Sequence, residues 1–170
     1  MSKNQRLALI ALLCAQAVII GLFERQLPSP LLFAPGAKLG LANIITCIAL
    51  YTLSFKDTAK IVTVRLLLTA FLGGTMSTLL YGASGALLSF IFMVLVYKWG
   101  GSKVSIIGVS VMGGFMHNLG QLLMASLIAR TWTVLLYLPI LSLAGIASGI
   151  LVGFLANYLL GQMGKLNLIP

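Results

Sequence analysis

Long apolar runs, separated by single charged residues and by glycine or proline, follow one another from residue 6 to residue 160. Such runs suit transmembrane helices, each of which needs about 20 mainly apolar residues. Only 8% of the 170 residues are charged, whereas soluble domains contain about 25%. Together with a mean hydropathy of +1.10, this composition excludes a soluble domain and predicts an integral membrane protein.

The runs predict an all-α, polytopic bundle of six transmembrane helices that fills residues 1–170 as a single membrane domain. The predicted helices cover residues 6–23, 38–55, 60–80, 84–98, 104–129 and 134–160. We place the turn between the third and fourth helices at residues 81–83, and Gly73-Gly74 is its alternative position. The proline-containing segment 24–37 is predicted to cap the bundle mouth as a gate, or to rest among lipid headgroups.

Lysine and arginine are distributed unequally between the two sides of this predicted topology. The side of both termini holds Lys3, Arg6, Lys56, Lys60, Lys98, Lys103 and Lys165, and the other side holds Arg25, Lys38 and Arg130. Because positive charges are enriched in cytoplasmic loops, we expect a multi-pass cell-membrane protein with cytoplasmic N- and C-termini. Arg65 lies within the third predicted helix, and we expect its side chain to snorkel to the inner headgroups.

The net charge of +9 does not indicate a nucleic-acid-binding surface, because the basic residues are scattered singly between apolar runs. Glu24 and Asp57 are the only carboxylates of the sequence, and both are predicted to lie in loops. We therefore expect no paired-acid catalysis, no carboxylate-held divalent ion and no proton relay within the membrane. Cys14 and Cys47 lie in apolar runs and are interpreted as packing residues. No cofactor and no metal are predicted.

Polar side chains are concentrated in the fifth predicted helix. His117 and Gln121 are four residues apart and share a face, and Asn118 lies on the adjacent stripe. Polar groups at membrane depth are costly, so each is a candidate for function. Gly113 and Gly114 leave space beside these hydrogen-bonding groups, as a ligand pocket requires. The alternative is a hydrogen-bond network that only holds the helices together.

Two further groups are predicted to join this pocket from the second helix. Lys38 lies near the outer interface, and Asn43 lies about 7 Å deeper. Arg130, at the outer end of the fifth helix, is a third candidate. Snorkelling explains Lys38 equally well, and a favourable helix dipole explains Arg130. The candidate substrate-binding residues are Lys38, Asn43, His117, Asn118, Gln121 and Arg130, of which the cations suggest an anionic substrate.

Small residues recur every four positions in two of the predicted helices. Gly145, Gly149 and Gly153 form such a row in the sixth helix, and Asn157 follows one step later. Because helices in lipid approach closely where side chains are small, this row is interpreted as a packing seam. Ala11 and Ala15 form an A-x-x-x-A frame in the first helix.

Four motifs carry a resemblance to a known family. They are Pro35-Gly36-Ala37-Lys38-Leu39-Gly40-Leu41-Ala42-Asn43, Ile107-Gly108-Val109-Ser110-Val111, His117-Asn118-Leu119-Gly120-Gln121 and Tyr137-Leu138-Pro139. They resemble the Gx transporter family, whose members are often described as heptaprenyl diphosphate synthase component I. The resemblance covers nearly the whole chain. In size and span count the family is similar to the substrate-binding S components of energy-coupling factor transporters.

The resemblance implies a subunit that binds a small nutrient or precursor on the outer side, beneath the first loop. In that transporter class, an A-x-x-x-A frame of the first helix docks on a transmembrane coupling subunit that two ATPases drive, and Ala11 and Ala15 match this frame. The chain has no G-x-x-x-x-G-K-[ST] segment to hold ATP phosphates. A carrier without its own energy source must take energy from such partners or only facilitate diffusion, and the resemblance implies the first.

Two other functions stay open at this point. One is a non-catalytic membrane accessory protein of polyprenyl diphosphate or quinone biosynthesis, and the other is a purely structural scaffold. Catalysis of prenyl transfer by this chain is not expected. That chemistry commonly relies on aspartate-rich motifs that hold magnesium against diphosphate, whereas this sequence has one aspartate, Asp57.

Overall fold

The computed structural model describes residues 2–26 and 40–165, apart from the side chain of Arg25. These residues form an all-helical arrangement. The α-helices are α1 (Lys3–Gln26), α2 (Asn43–Thr52), α3 (Phe55–Phe71), α4 (Met76–Gly100), α5 (Ile106–Ala129) and α6 (Leu138–Lys165). Short 3-10 segments follow α4 at Gly101–Lys103 and precede α6 at Trp132–Tyr137.

Four of the described helices, α1, α4, α5 and α6, are long and apolar enough to cross a membrane. The other two are shorter, with 10 residues in α2 and 17 in α3. At 1.5 Å per residue α2 measures about 15 Å, half of a hydrocarbon core of about 30 Å. The all-α class and the membrane character agree with the prediction. The second predicted helix, residues 38–55, is too long.

The boundary between α3 and α4 differs from the prediction. The helix break lies at residues 72–75, and residues 81–83 are inside α4. Gly73 has a φ of 146°, a conformation that favours glycine. Thr75 and Thr78 then form a capping box, in which each side-chain oxygen accepts a hydrogen bond from the other residue's backbone N–H, at 3.2 Å and 2.8 Å. These local signals, rather than hydropathy, determine where α4 begins.

The short helix α2 lies at the centre of the bundle. It contacts all five of the other α-helices, and every residue from Asn43 to Leu50 is buried. A helix that is apolar on all sides is expected to be surrounded by protein. This position brings the N-terminus of α2, and with it Asn43, into the interior.

The glycine row of α6 packs directly on α5. A Cβ atom added to Gly145 would lie 2.7 Å from the carbonyl oxygen of Gly114, and one added to Gly149 or Gly153 would lie 2.7 Å from a Cα atom of α5. The predicted packing seam is therefore confirmed for these glycines, because any side chain there would separate the helices. Asn157 is exposed, so the seam does not extend to it.

An ionic cluster joins the N-terminal ends of α1 and α3. Arg6 Nε donates a hydrogen bond of 2.7 Å to an Asp57 carboxylate oxygen, and a second guanidinium nitrogen contacts the same oxygen. Ser54 caps α3 by accepting from the Asp57 backbone N–H, and the Lys60 ammonium lies 3.3 Å from the carboxylate. The hydrogen bond from Arg6, helped by Ser54 and Lys60, lowers the pKa of Asp57. Asp57 therefore belongs to the first turn of α3 rather than to a loop.

Candidate functional site

A small cavity lies inside the bundle, where α1, α3, α4, α5, the N-terminus of α2 and the residues before it meet. It is lined by Gly21, Glu24, Gly40, Ala42, Asn43, Arg65, Leu66, Thr69, Gly82 and His117. Its volume of about 30 Å³ has room for water rather than for a nutrient. Because ligand pockets measure about 300–1,000 Å³, a nutrient-sized molecule can bind here only if the surrounding groups move apart.

Glu24 places a carboxylate in this cavity. It lies in the last turns of α1 and is only 6% exposed. Its Oε1 accepts hydrogen bonds from the backbone N–H groups of Gly40 at 2.5 Å and Leu41 at 3.2 Å. These bonds tie the C-terminal end of α1 to the segment before α2, and they replace part of the hydration that burial removes. The prediction that both carboxylates lie in loops is wrong.

Arg65 places a positive charge at the same cavity. It is 5% exposed, so the predicted snorkelling to headgroups is wrong. Ile61, Arg65 and Thr69 are four residues apart and all buried, which shows that Arg65 belongs to the inward face of α3. In the part of the chain that the structure describes, no N–O contact of 4.0 Å or less joins Arg65 to Glu24.

Asn43 and His117 meet at the cavity from α2 and α5. The Asn43 side-chain amide donates a hydrogen bond of 3.3 Å to Ser89 Oγ in α4. The His117 ring lies between two glycines, since an added Cβ on Gly40 would be 3.4 Å from its Cδ2, and one on Gly85 would be 3.0 Å from its Cε1. The structure thus brings together two of the predicted substrate-binding residues.

The remaining predicted residues lie elsewhere. The Asn118 amide donates a hydrogen bond of 2.8 Å to the Leu141 carbonyl oxygen, so it joins α5 to α6. Gln121 is buried in α5 but does not line the cavity. Arg130 is the exposed C-cap of α5, with a φ of 51°. Lys38 lies outside the described residues, as does most of the predicted gate.

A model of the family described as "Heptaprenyl diphosphate synthase component I" matches residues 13–159. The chain belongs to this family. The match confirms the resemblance that the motifs indicated. No curated protein and no solved structure matched the chain. The matched range contains every residue that lines the cavity, and it includes Ala15 but begins after Ala11.

The A-x-x-x-A frame lies on the exposed face of α1, which points away from the other described helices. Ala11 and Ala15 are exposed, whereas Leu13 and Ala17, on the opposite face, are 3% and 1% exposed. Small residues on such a face allow the backbone of another helix to approach closely. The frame is therefore accessible to a partner, and its docking role stays a prediction.

Sequence reasoning missed three polar residues of the cavity, Glu24, Arg65 and Thr69. For two of them a signal was available, because Arg65 and Thr69 continue the four-residue spacing that begins at the apolar Ile61. For Glu24 the sequence offers a weaker signal. It directly follows an apolar run, and a helix end is defined by hydrogen bonding rather than by hydropathy.

Proposed function

We propose that this chain is the substrate-binding membrane subunit, similar to an S component, of an energy-coupling factor type transporter that takes up a small nutrient or precursor. The observation that carries the proposal is the polar cavity, because Glu24, Asn43, Arg65 and His117 are all buried within an apolar bundle. Polar and charged groups at membrane depth are costly and commonly mark a substrate path. In this proposal the chain binds its substrate and does no chemistry on it.

The chain is proposed to depend on ATPase partners for energy. Its sequence has no phosphate-binding G-x-x-x-x-G-K-[ST] segment. Because Glu24 is a buried acid, a proton-driven carrier that works alone is the competing form of the same function. Recovery of the partners separates the two forms, since a stand-alone carrier has no need of an ATPase.

The test is co-purification of the tagged chain from its native membrane. The wild-type chain is expected to co-purify with a transmembrane coupling subunit and two ATPases. Ala11→Trp and Ala15→Trp each put a large ring on the exposed face of α1 and are expected to reduce that recovery at least about tenfold, because close helix contact needs small residues. Ala147→Trp, on the exposed face of α6, is the matched control and should leave recovery unchanged.

Two outcomes contradict the proposal. The first is wild-type protein that recovers no ATPase under conditions in which the chain stays folded. The second is equal recovery with Ala11→Trp, Ala15→Trp and Ala147→Trp, which would place the partner on some other surface.

The family description favours a second candidate function, a membrane accessory subunit of polyprenyl diphosphate or quinone biosynthesis. In that role the chain would bind a soluble prenyltransferase and leave the catalysis to it, because its sequence has only two carboxylates, Glu24 and Asp57, and no aspartate-rich motif. The same co-purification distinguishes it. Recovery of a prenyltransferase without an ATPase would support this function over transport.

A further inference from the structure

The described residues that line the cavity include one negative and one positive side chain, and these charges restrict what can bind. Glu24 and Arg65 are 6% and 5% exposed, and both line the same space. Asn43, Thr69 and His117 complete the polar lining, and their side chains can both donate and accept hydrogen bonds. With His117 neutral, the formal charges of the described lining residues sum to zero.

The two charges face the cavity without contacting each other. Among the described residues, the ion pairs within 4.0 Å involve Asp57 and not Glu24 or Arg65. Glu24 Oε1 accepts hydrogen bonds from backbone N–H groups instead. The guanidinium of an arginine offers five N–H donors in a fork that matches a carboxylate or phosphate. Once the surrounding groups move apart, a molecule between the two side chains meets an anion-binding and a cation-binding group at once.

This inference rests on the proposed function and names its substrate class. We propose that the cavity binds a small zwitterion, whose acidic group is held by Arg65 and whose ammonium group faces Glu24. An acid without the ammonium group would bring a second negative charge to the buried Glu24 carboxylate, and an amine alone would bring a second positive charge to Arg65. Either would leave buried charge uncompensated, which is costly.

The zwitterion replaces the anionic substrate that the sequence suggested. That suggestion depended on Lys38 and Arg130, of which the first lies outside the described residues and the second is exposed at the C-cap of α5. Arg130 is not among the described residues that line the cavity. The charged side chains of the described lining residues are of both signs.

Binding is tested by the thermal shift of the purified chain in detergent. The probes are the standard L-amino acids and glycine betaine, each neutral amino acid being compared with its deaminated acid and its decarboxylated amine at equal concentration. At least one zwitterion is expected to raise the unfolding temperature, while its matched acid and amine do not. A shift with an acid or an amine alone, or no shift with any zwitterion, overturns the proposal.

Charge-neutralising variants then test whether Glu24 and Arg65 each bind one charged group of the ligand. Glu24→Gln and Arg65→Gln are each expected to weaken the affinity for the stabilising zwitterion at least about tenfold, because each leaves one charge of the ligand unpaired in a buried site. Arg65→Lys keeps the charge and should bind more tightly than Arg65→Gln, which provides a readout if the glutamine variant folds poorly. Lys103→Gln, in an exposed turn, is the control. Wild-type affinity in both glutamine variants would overturn the assignment.

The ligand-binding experiments and the co-purification of partners can succeed or fail independently of each other. If ATPases are recovered but no zwitterion binds, the transport role stands and the ligand class is wrong. If a zwitterion binds but no ATPase is recovered, the binding site stands and the energy source differs.

Discussion

At the scale of single residues, two glycines lie next to the His117 ring, and Gly85 limits where the ring can lie. Gly85 in α4 is so close to α5 that an added Cβ would lie 2.8 Å from the His117 carbonyl oxygen as well as 3.0 Å from the ring. Gly40 has a φ of +79°, which a residue with a side chain rarely adopts. The imidazole therefore packs against the bare backbone of Gly85, whereas Gly40 is required by its own backbone conformation.

We predict that Gly85→Ala destabilises the bundle and displaces the His117 ring. Overpacking of a close contact typically costs about 1–3 kcal/mol, and the nearest atom here belongs to the backbone, which cannot rotate away. The measurement is the thermal unfolding of the purified variant in detergent.

Gly161→Ala is the matched control for this substitution. Gly161 lies in α6, and an added Cβ would meet nothing within 4 Å. Because alanine favours helices over glycine by about 0.5–1 kcal/mol, this variant should unfold at or above the wild-type temperature. Equal unfolding temperatures for the two variants would show that α4 and α5 leave room for a Cβ atom at Gly85.

At the scale of helices, α1 and α3 are joined by an ion pair at one end, and both line the cavity at the other. The contact between Arg6 and Asp57 joins their N-terminal ends, while Glu24 of α1 and Arg65 of α3 line the same cavity. Both helices were predicted from their apolar runs, but hydropathy does not report pairing. The polar contact that joins α1 to α3, between Arg6 and Asp57, links residues far apart in sequence.

We predict that Asp57→Asn makes the stability of the protein less sensitive to acid. The pKa of Asp57 lies below its ordinary value of 3.8 in the folded state, chiefly because of the hydrogen bond from Arg6. Its contribution is therefore present above that ordinary value and is lost as the pH falls through the folded-state pKa. Unfolding temperatures measured from pH 7 down to about pH 3 should decrease more steeply for wild type than for the variant.

Lys103→Gln serves as the reference for this pH series, since Lys103 lies in an exposed turn and is not one of the basic residues paired with Asp57. It should follow the wild-type curve. Parallel curves for wild type and Asp57→Asn would mean that the pairing with Arg6 adds no stability to the fold.

At the scale of the whole molecule, the distribution of positive charge predicts how the protein is oriented in the membrane. The excess of lysine and arginine on the side of the two termini predicts that these termini are cytoplasmic. The α4–α5 and α5–α6 turns lie at opposite ends of α5, a helix long and apolar enough to span the bilayer. These two turns should therefore differ in access from outside the cell.

We predict this difference for single cysteines introduced after Cys14 and Cys47 are replaced by alanine. Thr131→Cys, in the α5–α6 turn, should react with a membrane-impermeant maleimide in intact cells. Ser102→Cys, in the α4–α5 turn, should react only after permeabilisation. Both positions are exposed, so burial does not explain a difference. The reverse pattern would invert the proposed orientation.

The sequence by itself determined the membrane class, the all-helical architecture, the glycine seam of α6 and the polar character of α5. These follow from hydropathy and from spacing along a single helix, which are local properties. Only the tertiary structure decided that α2 is a short central helix, that Arg65 faces inward, and that Glu24 meets it at one cavity. The physical reason is that burial of a polar side chain depends on which helix faces meet, and that is a property of packing between distant segments.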